Sequence, residues 1–186
     1  MTVEPYGQTQ AGVAVERWRL GGDGGIEVAV LTYGARLASI TVPGPAGRQE
    51  VLLGCPDMAG WEADPAYLGA TVGRFAGRIE GARFTLDGRE HRLTDNDSGA
   101  CLHGGAPGFE RAVWQAHADG EAVVMRHTSP DGDQGFPGRL AVAVRARAIA
   151  LPRPRFKAAR VGAPTPTRPA AVARAASMAA RVLRAA

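Results

Sequence analysis

Asp87-Gly88 is the tightest local constraint in this chain. It sits between Phe84-Thr85-Leu86 and Arg89-Glu90, and an Asp-Gly pair between extended arms accepts the positive φ angles of a type I′ turn. The two arms therefore run antiparallel as a hairpin, with Leu93 ending the return strand. The same pattern of short apolar segments parted by turn residues fills most of the sequence. Val13, Val15, Trp18 and Leu20 alternate loosely. Ile26, Val28 and Val30 set against Ala29, Leu31 and Tyr33 show the period of two of a half-buried strand. Gly21-Gly22-Asp23-Gly24-Gly25 joins these two segments as a turn. Further strands are expected over residues 37–42, 50–54, 122–127 and 140–145, whereas 57–72 reads as irregular. With 25 glycines, 13 prolines and few helical runs, the expectation is an all-β chain of antiparallel strands.

Charge divides the chain in two. All eighteen acidic residues lie at or before Asp133 against eleven basic ones, a net of −7, and the eleven basic residues that follow face no acid, a net of +11. The overall charge of +4 thus belongs to the tail, and the acidic body offers no electrostatic reason to bind nucleic acid. Strand alternation stops after Arg145. Of the 41 residues 146–186, fifteen are Ala, eight Arg and five Pro. The expected organisation is one domain over residues 1–145 and a low-complexity basic C-terminal tail over 146–186, weakly ordered or partly helical. Only 170–186 has helical spacing, with Val172, Ala176, Ala179 and Leu183 on one face. As a working part, that helix would be a cationic nucleic-acid or lipid binder. The switch in composition is also what a reading-frame change in a GC-rich gene would produce, and translation in the other two frames tests it.

Cys55 and Cys101 have no CxxC companion and read as free thiols of a reducing compartment. No signal peptide or membrane-spanning run is evident, so a cytoplasmic protein with no membrane partner is expected. His91, His117 and His127 lack a second ligand at metal spacing, and no zinc or other metal is expected.

Residues 73–114 carry the chemistry. They hold Gly-Arg-Phe-Ala-Gly-Arg-Ile (73–79), the hairpin, Leu-His-Gly-Gly-Ala-Pro-Gly-Phe (102–109) and Trp114. A Ser-Pro-Asp-Gly-Asp-Gln-Gly-Phe-Pro-Gly loop follows at 129–138. These five motifs, in this order and spacing over about residues 13–145, resemble the aldose 1-epimerases, or galactose mutarotases. The resemblance implies an antiparallel β-sandwich of galactose-mutarotase type, incomplete here, with a cleft for a free aldohexose and no cofactor. Arg78 and His103 would bind the sugar, and Arg74 would shape the cleft wall. Trp61 and Trp114 read as core residues, with a sugar-stacking platform as the alternative for Trp61, which sits in a loop. Read without the family, His103 is a structural turn histidine bonded to backbone. Gly77 and Ala100 stand where the family usually has asparagine, which removes two polar side chains from the cleft. The His-Gly-Gly segment also matches an esterase oxyanion loop, but no Gly-x-Ser-x-Gly accompanies it.

The implied reaction interconverts the α and β anomers of free hexoses such as galactose or glucose. It needs a base for the anomeric hydroxyl and an acid for the ring oxygen. The family keeps its acid histidine and base glutamate after the Pro-Gly loop, where this chain has no histidine and no acid. No catalytic residue is therefore identifiable, although His103 could be auxiliary, and impaired activity is expected. The alternative is a non-catalytic carbohydrate-binding remnant. A shortened sandwich would also self-associate through exposed strand edges.

Overall fold

The computed structural model describes residues 1–22, 24–148 and 183–185. Five strands, β1 (Thr2–Gln8), β2 (Ala14–Gly21), β3 (Glu27–Leu31), β4 (Arg36–Gly44) and β5 (Gly47–Glu50), form one antiparallel sheet in sequential order. A six-residue helix, α1 (Met58–Ala63), follows. Two ribbons come next: β6 (Arg78–Glu80) pairs with β9 (Ala100–Leu102), and β7 (Arg83–Leu86) with β8 (Arg89–Arg92). The strands β10 (Gln115–Asp119), β11 (Ala122–Ser129), β12 (Leu140–Arg147) and β13 (Leu183–Ala185) make a second antiparallel sheet. No helix among the described residues is long and apolar enough to cross a membrane.

The two larger sheets pack face to face. Trp18, Leu20, Val28, Val30, Leu37 and Ile40 from the first meet Val123, Met125, Val144 and Ala146 from the second, with Phe109 and Trp114 between them. The period of two in β3 explains this division: Val28 and Val30 enter that core, whereas Leu31 joins Val15, Tyr33, Met58 and Trp61 in a second cluster on the other face. A third cluster of Ala82, Leu93, Cys101 and Phe136 lies under the ribbons. The hairpin turn is as expected, with Asp87 at φ 50° and Gly88 at φ 75°. Trp61 and Trp114 are both core residues, at 1% and 2% exposure.

Three expectations change. The strand placed at 50–54 ends at Glu50, because Oε1 of that residue accepts the amides of Ile40, Val51 and Leu52 in place of regular ladder partners, although the Val51 amide also donates to the Ile40 carbonyl at 2.9 Å. β1 was not foreseen. It is an edge strand with a bulge between Pro5 and Gly7 and an almost wholly exposed side-chain pattern, so it lacks the apolar alternation that marks a covered strand. Residues 57–72, read as irregular, hold the helix α1, capped where Asp57 accepts the Gly60 amide at 2.8 Å. Leu183–Ala185 pairs with Val144–Ala146 along the β12 edge. The tail over 149–182, with most of the helical spacing of 170–186, lies outside the described residues.

A buried ion pair joins sheet, helix and loops. Arg36 and Asp64 side chains are each 2% exposed and 2.8 Å apart. Arg36 also donates to the carbonyls of Leu68 (3.0 Å) and Glu110 (3.4 Å), and its guanidinium lies 5.0 Å from the Trp61 ring centre and 5.6 Å from that of Tyr33. Burial works to raise the Asp64 carboxyl, but the amides of Ala66 and Leu68 and the Arg36 charge outweigh it and hold it below its ordinary value. Arg36→Met leaves a buried carboxylate without its cation and is expected to cost about 3–5 kcal/mol in urea unfolding. Adding Asp64→Asn should recover part of that loss, and strict additivity of the two changes would contradict the coupling.

His127 gives the core a pH dependence. Its half-buried ring lies 5.1 Å from Phe109 and 5.3 Å from Trp114. Burial lowers its pKa, and Asp133 acts more weakly the other way. The unfolded chain thus binds the proton first, and stability is lost as pH falls below about 6.5, the ordinary imidazole value, until the folded-state pKa is passed. In urea melts, His127→Phe should lose less stability than the parent between about pH 7.5 and pH 5. Parallel losses would rule this source out.

Candidate functional site

The β6–β9 pairing sets Arg78 opposite Leu102, and His103 follows at the end of that pairing, facing Gly77. Asn96 fixes this end of β9 from the preceding loop: its side chain accepts from the Leu102 amide at 2.8 Å and donates to the Leu102 carbonyl at 3.0 Å. The chain then turns through three positive φ angles, at His103 (52°), Gly104 (91°) and Gly105 (97°). A Cβ on Gly104 would fall 1.9 Å from the Gly73 carbonyl oxygen, so glycine is required for the two loops to touch.

His103 is bound twice to Gly77. Its backbone N–H donates to the Gly77 carbonyl at 2.9 Å, and its Nδ1 accepts from the Gly77 N–H at 3.0 Å. The Tyr67 ring meets the imidazole edge-on at 4.8 Å and 70°. Burial, with a smaller push from Glu110, raises the Tyr67 phenol above its ordinary value. Arg78 is 65% exposed and donates from Nε to Asp97, which leaves its terminal nitrogens unpaired among the described residues.

Arg74 plays a different part. It donates from Nε to the Ser129 hydroxyl at 2.7 Å, and from its terminal nitrogens to the carbonyls of Ser129, Pro130, Pro137 and Gly138. Five acceptors from one loop saturate this guanidinium, so Arg74 shapes the wall and has no donor left for a ligand. Ser129 in turn donates to Asp133, which closes the 129–138 loop on itself. The amide of Thr94 donates to the Gln134 carbonyl at 3.0 Å and ties this loop to the one that carries Asn96.

The other histidines lie elsewhere. His91 stacks on Phe84, His117 sits in β10 opposite Val124, and His127 packs in the core. Two of the neighbouring carboxylates are engaged: Asp97 pairs with Arg78, and Asp95 accepts the amides of Asp97 and Gly99. Glu110 is 5% exposed; its Oε1 accepts the Gly108 amide at 3.3 Å and its Oε2 is buried without a partner. Sequence reasoning named Arg78, His103 and Arg74 because each lies in a glycine-punctuated motif. It missed Tyr67 and Asn96 as parts of the site, since their roles arise from contacts and no spacing in the chain announces them.

Over residues 16–147 the chain matches the aldose 1-epimerase family. It is 40% identical over 130 residues to the maltose epimerase of Levilactobacillus brevis, covering 68% of this chain and 38% of that protein. It is 37% identical over 129 residues to the galactose mutarotase of Bos taurus, covering 69% and 37%. The crystal structure of galactose 1-epimerase from Lactobacillus acidophilus superposes with a TM-score of 0.67 at 28% identity, over 78% of this chain and 43% of that one. A GalM/aldose epimerase homologue from C. elegans also gives 0.67, at 29% identity, over 72% and 42%. The chain therefore spans less than half the length of these relatives. With the motifs of 73–138 on an antiparallel sandwich of matching shape, this chain belongs to the aldose 1-epimerase family.

Proposed function

We propose that this chain presents one wall of a cleft for a free aldohexose and binds the sugar without interconverting its anomers. The observation that carries this reading is the placement of Arg78 and His103 at the same end of the β6–β9 pairing. Both keep donor nitrogens free of protein partners among the described residues, and such donors match the lone pairs of sugar oxygens. The relatives named for galactose and maltose support a sugar as the ligand class.

Turnover is a separate matter. Opening a pyranose needs one group to take the anomeric proton while another protonates the ring oxygen. Around His103, Asp97 and Asp95 are bound in other interactions, Glu110 is buried at 5% exposure, and no second imidazole among the described residues stands beside it. A sugar held on this wall meets donors but no exposed free base.

Polarimetry on freshly dissolved α-D-galactose should give the buffer rate at every protein concentration. The same protein should bind D-galactose saturably, and Arg78→Ala should weaken that binding by about tenfold, the loss of one charge-assisted hydrogen bond. A first-order rate well above buffer and proportional to protein would overturn the non-catalytic reading. Absence of saturable binding would overturn the sugar reading itself.

A further inference from the structure

His103 is a residue whose proton position can be read from its partners. A neutral imidazole carries its hydrogen on one ring nitrogen and accepts at the other. The Gly77 amide can only donate, and it points at Nδ1 from 3.0 Å. Nδ1 is thus the acceptor and Nε2 carries the hydrogen. Nε2 has no hydrogen-bond partner among the described residues and is not one of the buried polar atoms left without one.

The surroundings hold this arrangement. The reciprocal bond from the His103 amide to the Gly77 carbonyl at 2.9 Å fixes the two backbones against each other. Tyr67 fixes the plane of the ring from the side. Rotating the imidazole to present Nδ1 to the cleft would leave the Gly77 N–H facing a carbon. Gly77 itself sits at φ 107°, a conformation that side chains rarely adopt, so this amide is aimed by a glycine.

We propose that the backbone amide of Gly77 fixes the tautomer of His103, so that this residue meets its ligand only as an Nε2–H donor. It recognises an oxygen with a free lone pair, such as a sugar ring oxygen or a hydroxyl acting as acceptor, and it cannot take a hydroxyl proton while that bond stands. Gly77 is accordingly a positioning residue acting through its main chain. The choice of a sugar as ligand rests on the function proposed above, but the tautomer does not depend on it.

Two measurements test this on the full chain. Long-range 1H–15N correlation spectra of the unliganded protein should show His103 as a single Nε2–H tautomer, assigned by loss of its signals in His103→Asn. An Nδ1–H tautomer, or an averaged pair, would overturn the proposal. The second test separates the two ring positions. In His103→Asn the amide oxygen can replace Nδ1 as acceptor for Gly77 and tolerates the positive φ, but nothing replaces Nε2–H. Its melting temperature should stay within about 3 °C of the parent while D-galactose binding weakens by about tenfold. His103→Gln offers a donor near Nε2 but no acceptor for Gly77, and should melt lower than His103→Asn. Parent-like galactose binding by His103→Asn, or the reverse order of melting, would overturn the proposal. A parent protein that binds no galactose refutes the sugar reading alone, and the spectra still decide the tautomer.

Discussion

Arg36 is the interaction on which the site side of this structure depends. Its side chain leaves the start of β4, passes between Tyr33 and Trp61, and ends against Asp64, the Leu68 carbonyl and the Glu110 carbonyl. One cation thereby fixes three separate stretches of chain to the sheet: α1 and the residues after it, the segment that carries Tyr67, and the loop that follows the His-Gly-Gly turn. A charge this deep is tolerated because Asp64 neutralises it and carbonyls accept its hydrogens. Its remaining nitrogen, Nε, is buried without a partner, which marks how closely the surrounding chain is packed. Asp64 is not spare capacity either, since it also accepts the amides of Ala66 and Leu68. Removing the cation would therefore loosen the turn that delivers Tyr67 to His103.

Glycine provides the second constraint. Gly69 lies so close to β4 that a Cβ there would stand 2.0 Å from the Leu37 carbonyl oxygen, and its φ is 61°. Gly104 approaches Gly73 just as tightly. The first contact presses the segment bearing Tyr67 onto β4, and the second presses those bearing Arg74 and His103 together, with no side chain between them. The polar groups are then aimed by main-chain geometry. Arg74 spends its hydrogens on one loop, Asn96 brackets Leu102, and Gly77 faces His103. What remains directed outward is a small set of donors.

The parts of this architecture that were legible in the sequence are those encoded within a few residues. Asp87-Gly88 specifies its hairpin, and β3 specifies its two faces by alternation. The family motifs located Arg78 and His103 for the same reason, since each lies in a short glycine-marked segment. What could not be read is long-range or carried by a single side chain. Arg36 and Asp64 are 28 residues apart, and nothing at either position distinguishes a buried pair from two solvated charges. Glu50 ends β5 by capping three amides, although Val51 and Leu52 continue an apolar run that reads as strand. β1 is exposed along most of its length, so apolar periodicity had nothing to report there.

The groups left free around Arg78 and His103 have one polarity. A guanidinium can only donate, and His103 turns its acceptor nitrogen inward to Gly77. Of the nearby carboxylates, Asp97 is held by Arg78, Asp95 accepts two amides, and Glu110 is buried. Such a surface suits a molecule rich in oxygen lone pairs and carrying no net charge, because several neutral acceptors can be met at once without neutralising a buried ion. It is poorly suited to proton abstraction, since that step needs a group that gains a proton. On the proposed reading, binding and chemistry are separable: the free donors lie on the strand pairing and loop of residues 78–103, and proton abstraction needs a base outside that set.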